Sequence, residues 1–390
     1  MAVKIEGTCD PKFKRVRDVF AGHFERGLEV GASVALTIDG KPVVDLWAGH
    51  ADEARTRPWT RDTLVNVYST TKGFGAVCAH RLVDKGLLDL DAPVARYWPE
   101  FAQAGKDKIP VRMVLNHQAG LPAIKKALPF EAVFQWDTMC AALAAQEPWW
   151  VPGTKHGYHA LTYSWLVGEL VRRASGKSPG TYFRDEIAAP LGLDAHVGLD
   201  PKNDARTATI VPAPPTPPGE KLGEGGVEYL MQDPESMAAK AISNPPLSVV
   251  DPKLISSRAW RAAELFAVNG HATAWSLARL YGALARGGEL DGYRVLERAS
   301  IPRCYTVQSE GPDAVLGAVT RFAVGFALST PNVPLGPNPH SFGHPGAGGS
   351  IGFADPVANL GFGYTMNKMG ASALVDARAM SLYGAVFESL

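Results

Sequence analysis

The chemistry that this sequence could perform centres on a serine and a lysine three residues apart, Ser69 and Lys72. The apolar residues that follow recur at helical spacing as far as Gly86, which predicts a helix over 70–85. Ser69 and Lys72 would then share one face at the start of that helix. A lysine partly shielded from water beside a hydroxyl can lose its charge and accept the proton, which would make Ser69 a nucleophile. The free N–H groups of the helix start would favour a developing oxyanion.

Composition narrows the classes of protein to which the chain can belong. Its 390 residues can bury a large core in one or two domains. The 39 basic and 39 acidic residues form no charged block, which argues against nucleic acid and anionic membranes as partners. No apolar run is long enough to span a membrane, and the first ten residues lack the apolar core of a signal peptide. We therefore expect a cytoplasmic protein that acts on a small molecule; the oligomeric state stays open.

The cysteine and histidine patterns predict neither disulfides nor metal. Four cysteines lie far apart without paired spacing, which is typical of free thiols in a reducing compartment: Cys9, Cys78, Cys140 and Cys304. His156 and His159 lack a third ligand at metal-site spacing. We expect no metal and no cofactor.

The two ends of the chain predict strands and the middle predicts helices. Residues 11–28 alternate apolar and charged side chains as an amphipathic helix does. Two β-branched runs, 33–38 and 42–47, are joined by an Asp-Gly turn and predict a hairpin. Further helices are predicted over residues 70–85, 111–116, 130–145, 160–174, 178–188 and 273–286. The last third predicts strands over residues 321–328, 349–355 and 359–367, and then a closing helix over 371–390.

This order of elements predicts an α+β fold. Residues 1–68 and 290–390 would supply one mixed antiparallel sheet flanked by the terminal helices, and residues 69–289 a mostly helical inserted domain. The proline-rich stretch 213–220 would be stiffened toward polyproline II. A long loop of this kind suits either a lid over a substrate or a plain surface insertion.

Three stretches, in order, resemble motifs of the serine β-lactamase and penicillin-binding-protein superfamily. Residues 69–72 form its SxxK motif, and 87–94 (LLDLDAPV) continue it; residues 113–122 (MVLNHQAGLP) are similar to LLxHxSGLP, and 152–160 (PGTKHGYHA) to PGxxxxYxN/S. The resemblance covers nearly the whole chain and is strongest to the class C-like branch that includes the family VIII carboxylesterases. It implies a β-lactamase/transpeptidase-like fold with the active site in the cleft between the sheet domain and the helical domain.

The resemblance also implies a third catalytic residue, Tyr158. A phenol near Lys72 would have its pKa lowered by positive potential and would relay the proton from Ser69 to the leaving alcohol. Whether Lys72 or Tyr158 is the general base stays open at this point. The chain departs from the β-lactamases at Ala160, where they carry an asparagine that helps to position the β-lactam side chain. This change argues against strong β-lactamase activity.

The Lys-Thr-Gly motif of the family, which lies on an edge strand, aligns best with the turn that begins at His344. A histidine in place of the lysine is tolerated in esterase-like relatives, and a neutral or partly charged imidazole would orient the substrate or Tyr158. In this register Gly346 lies beside the substrate, and the N–H of Ala347 joins that of Ser69 as the oxyanion hole. The glycines that follow leave neighbouring registers open.

Ser350 offers a competing nucleophile, because residues 348–352 read Gly-Gly-Ser-Ile-Gly and fit G-x-S-x-G. That motif needs a strand before the serine and a helix after it, and here another strand is predicted to follow. No histidine lies beyond His344 to complete a triad. We therefore predict that Ser350 is not the nucleophile.

These inferences predict a serine carboxylesterase that hydrolyses short-chain carboxylic esters through an acyl-enzyme on Ser69. One alternative is a β-lactamase or D-aminopeptidase on the same scaffold, against which Ala160 and His344 weigh. The other is a catalytically silent binding protein that has kept the fold.

Overall fold

Strands from both ends of the chain form the sheet of this protein. The computed structural model describes residues 3–213, 227–248, 250–331, 334–370 and 375–390. The strands are β1 (Glu6–Cys9), β2 (Gly31–Ile38), β3 (Lys41–Gly49), β4 (Val65–Asn66), β5 (Ala195–His196), β6 (His271–Ala272), β7 (Glu289–Leu290), β8 (Tyr293–Arg294), β9 (Ser309–Pro312), β10 (Val319–Phe322), β11 (Ala327–Leu328), β12 (Phe342–Pro345), β13 (Ile351–Asp355) and β14 (Leu360–Met366). Within these described ranges, one antiparallel sheet has nine strands in the order β1-β3-β2-β14-β13-β12-β11-β10-β9.

Helices cover the sheet and build the middle of the chain. They are α1 (Lys14–Glu25), α2 (Thr71–Asp84), α3 (Val111–Leu115), α4 (Trp136–Ala145), α5 (Tyr163–Ser175), α6 (Pro179–Phe183), α7 (Val227–Leu230), α8 (Met237–Ser243), α9 (Pro252–Ile255), α10 (Arg258–Ala262), α11 (Ala274–Ala285) and α12 (Ala377–Phe387). The α+β class predicted from the sequence is confirmed. No helix in the described part of the chain combines the length and the apolar character needed to cross a lipid bilayer.

The two faces of the sheet are covered differently, because side chains alternate along a strand. On one face Phe353 and Phe362 are paired neighbours and pack with Tyr383 of α12 in a core that also includes α1. On the other face, glycines of β13 and β14 meet α11. A Cβ atom at Gly361 would lie 2.2 Å from the backbone nitrogen of Gly282 in that helix. The glycines thus let α11 lie directly on the sheet.

The position of helix α11 bears on how the chain is divided into a sheet domain and a helical domain. The predicted boundary at residue 290 places it in the helical domain, whereas the helix packs against β2, β13 and β14. The hydroxyl of Thr37 on β2 donates a hydrogen bond of 3.2 Å to the carbonyl of Ala278. The sheet is therefore covered by one helix from the middle of the chain as well as by the two terminal helices.

The predicted hairpin and first helix are confirmed. β2 and β3 pair across Asp39 and Gly40, both with positive φ (50° and 75°), as a tight turn between twisted strands requires. The helix predicted over 11–28 is α1, after one 3-10 turn. The helix predicted over 70–85 is α2, and it too follows a 3-10 turn, which holds Ser69.

Strand predictions for the last third are wrong in detail. Residues 321–328 are not one strand, because the chain reverses at Gly325 (φ 82°) and β10 pairs with β11. The strand predicted from 349 begins at Ile351, after two glycines with positive φ. The strands β1, β9 and β12 were not predicted at all. They are four residues long, too short to show a clear alternation.

The closing helix is shorter than predicted. It begins at Ala377, where the Asp376 side chain accepts the backbone N–H of Arg378. Residues 371–374 lie outside the described residues, and so do residues 214–220 of the proline-rich stretch.

The close approach of α11 to the sheet can be tested with Gly361→Ala. We expect this change to lower the free energy of unfolding by about 1–3 kcal/mol, because the new methyl group has no space between strand and helix. Gly384→Ala is the matched control, since nothing lies within 4 Å of a Cβ there. In the interior of α12, alanine should raise stability by up to about 1 kcal/mol. Chemical unfolding of both variants gives the comparison, and equal stabilities would refute the packing argument.

Candidate active site

Ser69 lies in a tight turn between β4 and α2. Residues Tyr68–Thr70 form a 3-10 turn, and α2 begins at Thr71. Ser69 is half-buried while its neighbours on both sides are buried. Tyr68 has a φ of 45°, a left-handed conformation that is costly for a residue with a side chain. The turn therefore holds the Ser69 side chain at the surface of a cavity.

Ser350, which directly precedes β13, holds the turn of Ser69 by hydrogen bonds. Its buried hydroxyl donates 2.8 Å to the carbonyl of Val67 and lies 3.1 Å from the hydroxyl of Thr70. β13 rather than a helix follows it. Ser350 thus sits beside the serine turn with its hydroxyl already bound to protein.

Lys72 is completely buried beside Ser69. Its Nζ lies 3.3 Å from the Ser69 Oγ, 3.0 Å from the carbonyl oxygen of Ala160 and 3.1 Å from that of Ala267. Burial lowers the pKa of Lys72 well below its ordinary value. A neutral amine has two N–H bonds and one lone pair. With both N–H groups donated to carbonyls, the lone pair is left for the Ser69 hydroxyl.

Tyr158 completes the group. Its ring centre lies 4.6 Å from the Lys72 Nζ, and its hydroxyl is hydrogen-bonded to Ser69. Burial raises the pKa of Tyr158 above its ordinary value, although the bond to Ser69 opposes this. The predicted lowering of this pKa is wrong, because the same burial that encloses the phenol also removes the positive charge expected on Lys72.

Contacts to its backbone and ring hold Tyr158 in place. The ring stacks at 6.1 Å on Phe322 and lies 5.0 Å from the ring of His117. The backbone N–H of Tyr158 donates 3.0 Å to the buried carboxylate of Asp313. Asp313 also accepts the Thr320 hydroxyl at 3.0 Å. This network fixes the direction from which the phenol enters the site.

No motif in the sequence pointed to Asp313. It follows the short strand β9 and lies 155 positions along the chain from Tyr158. Its carboxylate also accepts the backbone N–H groups of Val315 and Leu316, each at 2.9 Å. A single aspartate in a loop carries no motif, and only the folded chain shows what it holds.

His344 lies on β12 and not in the predicted turn, and β12 is flanked by β11 and β13 rather than at an edge of the described sheet. Its Nδ1 is 2.7 Å from the carbonyl oxygen of Pro345, so that nitrogen must carry the hydrogen. The buried Nε2 has no partner among the described residues. Burial lowers the pKa of His344 to about 3. The imidazole is neutral, so His344 does not supply the cation that a lysine would supply at this position.

Gly346 allows the turn that contains Ala347 to lie against the turn of Ser69. A Cβ atom at Gly346 would lie 2.4 Å from the carbonyl oxygen of Val67 and 2.2 Å from the Ser350 Oγ. The Gly346 N–H donates 2.7 Å to the carbonyl of Ser350. Only glycine fits between the two turns.

Ser69 opens into an apolar cavity, called here the Ser69 cavity, which encloses about 270 Å³. Ser69, Tyr158, Ala160 and Ala347 line it at one end. Its walls are mostly aliphatic, among them Leu161, Leu230, Leu247, Val250, Val268 and Leu316. No charged side chain of the described residues lines it. A smaller cavity of about 60 Å³ begins on Tyr158 and His344 and shares Leu316 with it.

The structure thus brings together Ser69, Lys72 and Tyr158, and places Ala347 on the same cavity. His344 reaches the site through its packing against Tyr158, with ring centres 6.0 Å apart. A serine hydroxyl between an uncharged amine and a protonated phenol can attack a carbonyl carbon and pass its proton onward.

Comparison with known proteins agrees with this arrangement. The Beta-lactamase family profile matches residues 16–385. Esterase/beta-lactamase LipL of Mycobacterium tuberculosis is 37% identical over 373 residues, which are 94% of this chain and 83% of that protein. The crystal structure of a family VIII carboxylesterase superposes with a TM-score of 0.89 at 41% identity, covering 99% of this chain and 100% of the other.

Two further structures match over almost the same length. A penicillin-binding protein homologue from Caulobacter crescentus has a TM-score of 0.89 at 40% identity, with 99% of this chain and 100% of that chain covered. EstA from Arthrobacter nitroguajacolicus has a TM-score of 0.86 at 32% identity, with 100% and 98% covered. Since the family profile spans almost the entire chain and these relatives share its full fold, the protein belongs to the Beta-lactamase family.

Proposed function

We propose that this protein is a serine carboxylesterase that hydrolyses uncharged, short-chain carboxylic esters. The observation that carries the proposal is the convergence of Ser69 with a fully buried lysine, whose pKa burial lowers, and a half-buried phenol at the end of an apolar cavity. The carboxylesterases among its relatives support the same assignment. The site lies between the sheet-bearing ends of the chain and its helical middle.

Lys72 is the general base in this proposal. The Ser69 Oγ attacks the ester carbonyl while its proton moves to the Lys72 lone pair, because a neutral amine accepts a proton and a high-pKa phenol does not. The tetrahedral intermediate then loses the alcohol as its C–O bond breaks. Tyr158 gives its hydroxyl proton to the departing alkoxide and regains one from Lys72.

The second half of the reaction repeats these steps with water. Water attacks the acyl carbon, its proton passes through the same groups, and the Ser69 Oγ leaves as the hydroxyl, releasing the carboxylic acid. In both halves the N–H groups of Ser69 and Ala347 hold the oxyanion. Ala347 and Ser69 line one cavity, and Gly346 lets their two turns touch, which supports this pairing.

The lining of the site supports uncharged substrates. A charged acyl group would lose its hydration in the Ser69 cavity without gaining a charged partner among the described residues. The neutral His344 gives no cation for the carboxylate that β-lactams carry, and Ala160 gives no amide for their side chain. The leaving alcohol would lie beside Tyr158, where the smaller cavity begins.

A cytoplasmic location is part of the proposal. All four cysteines of the chain are free, three of them buried. Free thiols are the normal state in a reducing compartment, which supports this location.

An ester panel tests the assignment directly. We expect p-nitrophenyl esters of short acids to be hydrolysed with a higher kcat/KM than a chromogenic cephalosporin, and Ser69→Ala to abolish ester turnover. A cephalosporin that is the better substrate would overturn the esterase proposal in favour of a β-lactamase. Retained activity in Ser69→Ala would return attention to Ser350, and no turnover with no covalent labelling of Ser69 would point to a silent binding protein.

The role of Lys72 can be tested by the rate at which a fluorophosphonate labels Ser69. Labelling should rise with pH as Lys72 loses its proton and should level off well below pH 10.5, since burial lowers this pKa. Lys72→Met should slow it by roughly 10²–10⁴-fold, the usual contribution of a general base.

Lys106 offers the matched control. It too is fully buried, and its Nζ donates to the carbonyls of Gln103, Ala144 and Gln146 at 2.8, 2.9 and 2.6 Å. Lys106→Met should cost stability yet leave the labelling rate of the folded protein unchanged. Equal slowing in both lysine variants would contradict the role of Lys72 as base.

Restoring the β-lactamase residues should shift selectivity. In Ala160→Asn/His344→Lys we expect the ratio of cephalosporin to ester kcat/KM to rise roughly tenfold or more, which corresponds to about 1.4 kcal/mol of transition-state binding. The added cation would pair with the carboxylate in a site shielded from water. Ala160→Asn alone serves as the control for the amide, and an unchanged ratio in the double variant would contradict the selectivity argument.

A further inference from the structure

A buried arginine of α12, Arg378, reaches the turn that carries the oxyanion-hole amide. We infer that Arg378 is a positioning residue of this esterase, one that fixes the Ala347 N–H for the transition state. The inference rests on the proposed function, in which Ala347 and Ser69 hold the oxyanion.

The contact to the turn is direct. Arg378 Nη2 donates 2.7 Å to the carbonyl oxygen of Gly348, the residue after Ala347. The Gly370 N–H donates to the same oxygen at 2.8 Å. On the other side of Ala347, the Gly346 N–H is bound to Ser350. The peptide group that contributes to the oxyanion hole thus lies between two fixed points, and Arg378 makes one of them.

The turn needs such an anchor because of its composition. Residues 346–349 contain three glycines, and Gly348 and Gly349 have φ values of 81° and 132°. Glycine restricts the backbone least of all residues, so contacts from outside must select one conformation. An oxyanion donor works only if its direction is set before the charge develops.

Arg378 is itself held rigidly. Its Nε donates 2.9 Å to Asp376, and its Nη1 donates 3.0 Å to Glu29 and 2.9 Å to the carbonyl of Lys368. Nη2 also reaches Asp376 at 3.1 Å. All three charged side chains are at least nine-tenths buried. Nη1 also donates 3.1 Å to the carbonyl of Leu28. The guanidinium therefore joins the residues just before β2, the segment after β14 and α12 to the Gly348 carbonyl.

A residue that only stabilised the fold would lower the melting temperature without changing the chemistry of the folded enzyme. The experiment therefore measures kcat and KM separately for a p-nitrophenyl ester, together with the rate of fluorophosphonate labelling, at a temperature where each variant is folded. The labelled adduct places a phosphoryl oxygen in the oxyanion hole. The variants are Arg378→Met, Arg378→Lys and Asp376→Asn, the last of which keeps the arginine but loosens it.

Glu169→Gln is the matched control. Glu169 is a buried carboxylate on α5 that pairs with Arg172 and Arg173 at 2.7 and 2.6 Å, and it lines neither cavity. It should lower the melting temperature and leave kcat unchanged.

We expect Arg378→Met to lower kcat and the labelling rate tenfold or more with KM within twofold of wild type, and Arg378→Lys to recover part of the loss. Asp376→Asn should lower kcat and the labelling rate by a smaller factor. If Arg378→Met does not fold, the result for Asp376→Asn decides whether Arg378 is a positioning residue. Folded variants with wild-type kcat, or a loss equal to that of Glu169→Gln, would overturn the inference. Wild type and Ser69→Ala are measured in the same experiment. If wild type does not hydrolyse the ester, or if Ser69→Ala still does, the proposed function is overturned and not only the inference about Arg378.

Discussion

The active site depends on an amine that has been removed from water without a counter-ion. Lys72 is fully buried, and none of the described carboxylates lies within ion-pair distance of it. A buried ammonium without a partner is so costly that the group gives up its proton instead. Two backbone carbonyls, those of Ala160 and Ala267, satisfy the N–H groups of the neutral form. Burial therefore makes Lys72 a base, because the surrounding structure keeps water away from its amine.

The same requirement explains why so much of the site is backbone. Backbone carbonyls hold the Lys72 amine, and the Ser350 hydroxyl holds the serine turn through the Val67 carbonyl. The turn after β12 is bound through its own backbone groups, the Gly346 N–H and the Gly348 carbonyl. Such contacts add no net charge that would return a proton to the lysine. Charged networks lie one layer further out, where Asp313 holds the Tyr158 backbone and Arg378 holds the Gly348 carbonyl. They set positions, and the Asp313 carboxylate also adds to the effect of the burial that raises the pKa of Tyr158.

Sequence patterns predicted the parts of this site that are local or belong to a motif. Ser69 and Lys72 are neighbours along one helical turn, and the two residues Asp39 and Gly40 suffice to predict the hairpin. The resemblance supplied Tyr158, which has a fixed position in the motif of residues 152–160. The reversal at Gly325 was missed because a glycine within an apolar run is also compatible with a continuous strand. The pKa of Tyr158 was predicted with the wrong sign, since its burial depends on Phe322 and other residues far along the chain. Asp313 and Arg378 carry no signal at all, because what they hold is set by tertiary contacts across long sequence separations.

The neutrality of the pocket has a consequence for how substrate arrives. With an imidazole of pKa about 3 beside Tyr158 and no charged side chain among the described residues that line it, the Ser69 cavity offers little electrostatic attraction to a charged molecule. Electrostatic steering, which speeds encounter at charged clefts and weakens with ionic strength, should therefore contribute little at this cavity. Selection of the substrate is then left mainly to the shape of the cavity and to the desolvation of the ester.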